Sequence, residues 1–277
     1  MRGVTDDLIA QYGALFERDG SRYVPTQLAR GPWNPKALHG GAPSALFATV
    51  CEAHDPGPAA FVARLTVELL RPVPLAPLEL RVRTIRPGKK VQWIEAMLLA
   101  GDQEVARATA LRIRSDAVDT RGAVLPEVDA PPSPDTVDAQ SFPFGEGAIG
   151  FWNVHDVRLA GGSWMEPGPG IAWFNLRCPV IAGESISPIA RVAAAADFGS
   201  GLSNPLRLTS AAAINPELTV HVHRHPVNEW VCLESVAWAQ PHGVGMAETR
   251  LHDVSGVIGR GVQSLLVEPA VNLPMRL

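Results

Sequence analysis

The chain has 277 residues, 46% of them hydrophobic and 19% charged, which leaves room for one large or two ordinary globular domains with a real core. Its formal net charge of −4 offers no broad attraction to phosphate backbones or anionic lipid surfaces, so neither nucleic acid nor membrane is expected as a partner. The three cysteines, Cys51, Cys178 and Cys232, are an odd number without a C-x-x-C pairing, and read as reduced, buried thiols of a cytosolic protein.

The first residues, Met1 to Asp7, lack an apolar signal region, and no segment approaches the roughly 20 apolar residues of a membrane span; a cytoplasmic location is the expectation. Leu8, Ile9, Tyr12, Leu15 and Phe16 recur at helical spacing, which predicts an amphipathic helix over 5–17. A strand is expected over Tyr23–Leu28, then a loop, Gly31-Pro32-Trp33-Asn34-Pro35. His39-Gly40-Gly41 leads into an Ala/Leu-rich stretch, Ala42–Glu52, expected as a buried helix. After a turn at Asp55-Pro56-Gly57-Pro58, four strands are predicted at Val62–Leu70, Leu78–Arg86, Val91–Ala100 and Glu104–Arg114, joined by Pro-rich or polar turns.

From Ser115 to Gly147 apolar periodicity is lost and Pro, Asp, Ala and Ser dominate, the composition of a surface linker. Strands are expected again at Phe151–Leu159 and Ile171–Cys178, followed by an Ala-rich helix from Ile189 to about Phe198. Four last strands fall at Leu218–His225, Trp230–Ala239, Gly243–His252 and Ile258–Val267. Both halves thus read as strands, one buried helix, then an antiparallel meander, an α+β arrangement.

The halves also share residues in one register. Leu65-Thr66-Val67 and Arg71 match Leu218-Thr219-Val220 and Arg224; at the same spacing Leu80, Val91, Glu95, Leu98 and Arg107 match Leu233, Val244, Glu248, Leu251 and Arg260. A register held that long points to a tandem duplication. The units are expected at 1–115 and 149–277, with 116–148 between them. Positions where the copies differ, such as Ser44 against Asp197 and Ala110 against Gln263, are where a single active site is to be sought.

Three segments, Gly31-Pro32-Trp33-Asn34-Pro35 with His39-Gly40-Gly41-Ala42-Pro43, the strand Leu218 to Arg224, and Gly261-Val262-Gln263-Ser264, resemble the type II acyl-CoA thioesterase family. The resemblance covers roughly residues 20–115 and 150–268. It implies a tandem double hotdog, each unit a central helix wrapped by a curved antiparallel sheet. It also implies hydrolysis of acyl-CoA thioesters by a water held by an Asp, a Thr or similar residue, and a Gln. By position these are Asp197, Asn215 and Gln263, and Asn215 departs from the family's Thr while keeping donor and acceptor capacity. No cofactor is implied, and a homodimer or higher homo-oligomer is expected.

Read as residues, each candidate has a plainer role beside the chemical one. Asp197 follows four alanines and is either a desolvated general base or a helix cap. Gln263 is a polar amide on an otherwise apolar strand, either buried with partners or turned outward. Asn215 precedes Pro216 and would also suit a turn. His39, Gly40 and Gly41 would present helix N-terminal N–H groups to a substrate carbonyl, or simply allow close helix packing. Arg224, with Arg71, would meet a CoA phosphate or form a structural ion pair. Trp33 and Trp230 fit core or acyl-tunnel lining equally. His221, His223 and His225 share a strand face, but no Cys or carboxylate cluster accompanies them, so no metal is expected. An enoyl-thioester hydratase or dehydratase of the same fold, and a non-catalytic acyl-CoA-binding protein, are the alternatives to hydrolysis.

Overall fold

The computed structural model describes residues 2–55, 60–124, 126, 128–140, 142, 148–207 and 209–269. Pro56, Gly57 and Pro58 of the predicted turn, and part of the predicted linker, lie outside the described residues.

Helix α1 (Arg2–Tyr12) opens the chain and is shorter than its apolar spacing suggested. Gly13, at φ +75°, turns the chain out of the helix. Leu15 and Phe16 are fully buried through β1 (Phe16–Asp19) and the residue before it, not through the helix. β2 (Arg22–Pro25) and a 3₁₀ turn, Gln27–Ala29, replace the single strand expected there.

Helix α2 (Gly41–Ala53) buries every residue from Gly41 to Ala48. A helix apolar all round is one that sits inside a protein. The meander β3 (Ala60–Glu68), β4 (Leu78–Arg86), β5 (Val91–Ala100) and β6 (Gln103–Arg114) follows. In the second half come β7 (His155–Gly161), preceded by a 3₁₀ turn at Phe151–Val154, and β8 (Gly170–Leu176). Helix α3 (Pro188–Ala196) has Ser187 as its N-cap and Pro188 in its first turn, and the short α4 (Gly199–Leu202) comes directly after it. β9 (Ala211–Ile214), β10 (Glu217–Val222), β11 (Trp230–Ala239), β12 (Val244–Asp253) and β13 (Gly256–Pro269) complete the described chain.

These strands form one antiparallel sheet in the order β1-β2-β4-β5-β6-β3-β10-β13-β12-β11-β8-β7, with β9 added on β13. The halves join where β3 pairs with β10, Leu65 facing Val220, Thr66 facing Thr219 and Val67 facing Leu218. α2 and α3 pack on each other and against the strands, α2 on β3, β5 and β6 and α3 on β8, β10, β11 and β12. The two ends of the strand order, β1 and β7, are each partly covered. Phe16 of β1 exchanges hydrogen bonds with Val180 and Ala182, at 3.0 Å each, and the Gln140 amide donates to Val157 of β7 at 2.9 Å. Covering edge amides in this way blunts edge-to-edge association.

Residues 116–124 of the segment read as a surface linker are exposed, whereas the stretch around 132–140 is docked on the second half. Trp173 donates its indole N–H to the Pro132 carbonyl at 2.8 Å, and Arg158 bonds the carbonyls of Pro134 and Val137.

Candidate active site

The constant spacing between the halves holds in the sheet but not in the helices. Ala110 and Gln263 face equivalent partners, Ile94 on β5 and Ala247 on β12. Ser44, however, lies in the first turn of α2, its hydroxyl donating to the Gly40 carbonyl at 2.8 Å. Asp197 is the C-cap of α3. The Ser44–Asp197 equivalence expected from sequence therefore fails, because the second helix breaks at Asp197 and restarts at Gly199 while α2 runs on.

That break aims Asp197 at the start of α2. Its side chain is nearly inaccessible, yet both carboxylate oxygens are engaged. The Asn215 amide donates to Oδ1 at 2.7 Å, and His39 Nδ1 stands 3.0 Å from Oδ2. The Gly41 N–H also approaches Nδ1, at 3.1 Å, and holds the ring in register. The imidazole stacks on Phe151 and lies against Phe198, with ring centroids 4.8 and 4.6 Å away.

Gly40 is the N-cap of α2. A Cβ there would sit 2.8 and 2.9 Å from the two Asp197 carboxylate oxygens, so only glycine lets the carboxylate approach this closely. A Cβ on Gly41 would meet the Phe151 ring at 2.5 Å and the Ala194 carbonyl at 2.9 Å. The two readings of His39-Gly40-Gly41 thus coexist: the glycines permit close packing, and they also set a positive helix end against a carboxylate.

Gln263 is 1% exposed and turns inward. It reaches the main chain of Asp197, not its carboxylate: Nε2 donates to the Asp197 carbonyl at 3.3 Å and Oε1 accepts from the Ser200 N–H at 2.9 Å. It clamps the break between α3 and α4. Ser235 and Thr249, buried partners 2.8 Å apart, lie beside it around Gly199. Their counterparts in the first half are Val82, Ala96 and Ala110. Sequence reasoning missed Ser235, Thr249 and Ser200, although Ser235 for Val82 and Thr249 for Ala96 are polar-for-apolar replacements on β11 and β12 that were there to be read.

These groups close one end of a cavity of about 490 Å³. Asp197, Phe198, Ser200 and Asn215 line it with His39 and Gly40, and Trp33, Leu38, Leu69, Val73, Trp152 and Ile214 make it largely apolar. Trp33 is thereby a wall residue, whereas Trp230 lies under the Arg158 guanidinium, 5.1 Å from the ring centre. Arg224 is not brought to the cavity. Its guanidinium is paired with Asp253, at 2.7 Å from Nη2 to Oδ1, and with the Gly256 carbonyl at 3.0 Å. This corrects its expected place in substrate binding: Asp253 already occupies the fork that would meet a phosphate.

Behind Phe198, His155 is buried with Nδ1 donating to the Phe151 carbonyl at 3.0 Å and Nε2 unpartnered. Burial pushes this imidazole down to about 3. It also pushes the thiols of Cys51 and Cys178 up to about 12, and raises Cys232 as well. None of the three is a thiolate nucleophile at neutral pH. Among the described residues no cluster of His, Cys, Asp and Glu could hold a metal ion, and no helix is long and apolar enough to cross a membrane.

The arrangement can hold a water against a carboxylate beside an apolar slot, with a helix N-terminus opposite. Comparison with known proteins gives the family and the class of reaction. Residues 29–113 match the family model of the acyl-CoA thioesterase N-terminal domain, and residues 126–267 that of the C-terminal domain. No curated protein matches the sequence. Among solved structures, the chain is similar to a candidate thioesterase II of Thermobifida fusca (TM-score 0.71, 18% identity, 92% of this chain and 96% of that one). It is similar to the tesB protein of Mycobacterium avium subspecies paratuberculosis (TM-score 0.69, 16% identity, 96% and 100%). A protein with a hot dog fold from Alicyclobacillus acidocaldarius (TM-score 0.68, 18% identity, 91% and 95%) is a third likeness, and with the large antiparallel sheet it assigns the hotdog fold. With its two domain matches covering most of its length, the chain belongs to the acyl-CoA thioesterase family and is a thioester hydrolase.

Proposed function

We propose that this protein hydrolyses acyl-CoA thioesters with a water activated by Asp197. The observation that carries the reading is the buried carboxylate held from both sides, by His39 at 3.0 Å and Asn215 at 2.7 Å, on the wall of an apolar cavity. An ionised carboxylate has about four lone-pair sites, so a water can still bind between the two fixed partners. In the proposed step Asp197 takes a proton from that water as its oxygen attacks the thioester carbonyl. The C–S bond then breaks, and the departing thiolate takes up a proton. No described group accepts from the Gly40 N–H, which leaves it, with the α2 N-terminus, to stabilise the developing oxyanion. Asn215 fills the family's Thr position by orienting the carboxylate. Gln263 is a positioning residue that acts through the Asp197 main chain.

The architecture that supports this is a tandem pair of hotdog units, roughly 1–115 and 149–277, each with a central helix. Thr66 and Thr219 occupy the same place in the two copies and face each other across the junction, Oγ1 to Oγ1 3.2 Å. A pseudo-two-fold axis between the units would pass through that pair. The site lies between the units, with His39 and Gly40 from one and Asp197 and Asn215 from the other.

The test is free-thiol release from a panel of acyl-CoA chain lengths by wild type and by Asp197→Asn. Loss of the base is expected to lower kcat by roughly 10²–10⁴-fold with the fold kept by circular dichroism. Undiminished hydrolysis by Asp197→Asn would sink the assignment. The His39–Asp197 pair would also suit water addition to an enoyl thioester, so an enoyl-CoA arm that loses its double bond without thiol release would favour the hydratase reading.

A further inference from the structure

Arg71 and Arg224 hold the same place in the two halves, one at the end of β3 and one at the end of β10, yet they have different surroundings. Arg224 is tied up by Asp253. The residue that corresponds to Asp253 in the first half is Ala100, paired with Gln103 just as Asp253 is paired with Gly256. Arg71 has therefore lost the carboxylate its twin keeps. Its main-chain N–H bonds the Val105 carbonyl at 3.1 Å, but no described carboxylate lies within 4.0 Å of its guanidinium. Nearby Glu68 and Glu104 are turned to Arg107 instead.

This unpaired cation is exposed and lines the active-site cavity, where it is the one Arg or Lys among the described wall residues. The wall it belongs to runs from the catalytic end outward. Leu69 lies against Gly40, its Cδ1 2.9 Å from where a Gly40 Cβ would be, while Leu70, Arg71 and Pro72 are exposed. A thioester carbonyl at Asp197 would leave along this wall through its pantetheine arm, and the phosphates at the far end of that arm would emerge at the mouth.

We propose that Arg71 binds a phosphate group of the CoA moiety at the cavity mouth, and so makes the enzyme prefer thioesters of a phosphorylated carrier to the same acyl group on a phosphate-free thiol. The proposal rests on the reading of this cavity as the acyl-CoA site. Guanidinium is suited to the task because it is always charged and its fork matches two phosphate oxygens. The missing Asp means no internal ion pair must be broken before it binds.

The experiment compares an acyl-CoA that the wild type hydrolyses with the same acyl group on pantetheine, which keeps the sulfur and lacks every phosphate. For Arg71→Ala, KM for the CoA thioester is expected to rise roughly tenfold with kcat changed by less than about twofold, as for loss of uniform binding. KM for the pantetheine thioester should not move. Arg71→Lys should recover part of the loss, and added salt should raise the wild-type KM for acyl-CoA toward that of the variant. An unchanged KM for acyl-CoA, or an equal rise for both thioesters, overturns the proposal. Calorimetric titration with CoA alone separates it from the hydrolytic reading. Roughly tenfold weaker CoA binding by Arg71→Ala supports the phosphate contact even if wild type releases no thiol, and equal binding by both proteins refutes it.

Discussion

At the scale of single residues, the site is a set of polar groups kept inside an apolar interior, and each is there because it has partners. Asp197, Asn215 and Gln263 were singled out in the sequence through the resemblance, and His39 through its place before two glycines at a helix start. The sequence carried no sign that Gln263 would act on a main chain, or that His39 would stand against Asp197, because both contacts join positions more than 60 residues apart. His155 lies where no motif pointed, and it has a measurable consequence. Its imidazole is buried neutral, with its pKa pushed down to about 3 from an ordinary 6.5. Between these values the unfolded chain binds a proton that the folded chain refuses, so stability present above pH 6.5 is lost as the pH falls toward 3. Burial lowers His225 and His252 too, adding to the same slope. Replacing His155 by Phe should flatten the fall of Tm between pH 7.5 and 4.5 without abolishing it. A profile as steep as the wild type's would show that the acid sensitivity resides elsewhere.

At the scale of elements, the strands with clean alternation and turn residues at both ends were legible. Leu78–Arg86, Val91–Ala100 and Trp230–Ala239 have the bounds the pattern predicts. β9 was missed because Ala211-Ala212-Ala213-Ile214 carries no strand signal and is strand only by pairing with β13. The break between α3 and α4 was missed for a related reason. Local propensity favours helix through the alanines, and it is the Gln263 side chain on a distant strand that bonds the chain on both sides of the break. The contact of α2 with α3 depends on the two glycines differently, and that difference can be tested. Gly41→Ala drives a Cβ into Phe151 and the Ala194 carbonyl, so it should cost about 1–3 kcal/mol in denaturant unfolding. Gly40→Ala presses on the Asp197 carboxylate instead, and is expected to lower kcat in greater proportion than it lowers stability. If the two variants lose stability and activity in the same ratio, the division of labour between the glycines is wrong.

At the scale of the whole molecule, neither half is complete. α2 and α3 bury each other, the sheet is continuous through β3 and β10, and the proposed catalytic groups come from both sides of that junction. A chain of this length would ordinarily be free to unfold one unit at a time. Here the first unit without the second would expose one face of α2, one edge of β3 and the β1 edge that Val180 and Ala182 now cover. Exposing an apolar helix face and two rows of unpaired amides costs far more than the few kcal/mol that separate folded from unfolded states. The halves should therefore melt together. Calorimetry is expected to give one transition with van't Hoff and calorimetric enthalpies equal. Hydrogen exchange should lose protection in β5 and in β12 over the same denaturant range. Substituting Leu65→Ala, a fully buried residue on the junction strand, should shift both sets of amides by the same amount, about 2–5 kcal/mol. Protection surviving in β12 after β5 has opened would mean that the two units are stable independently, and that the shared site is assembled from parts that fold alone.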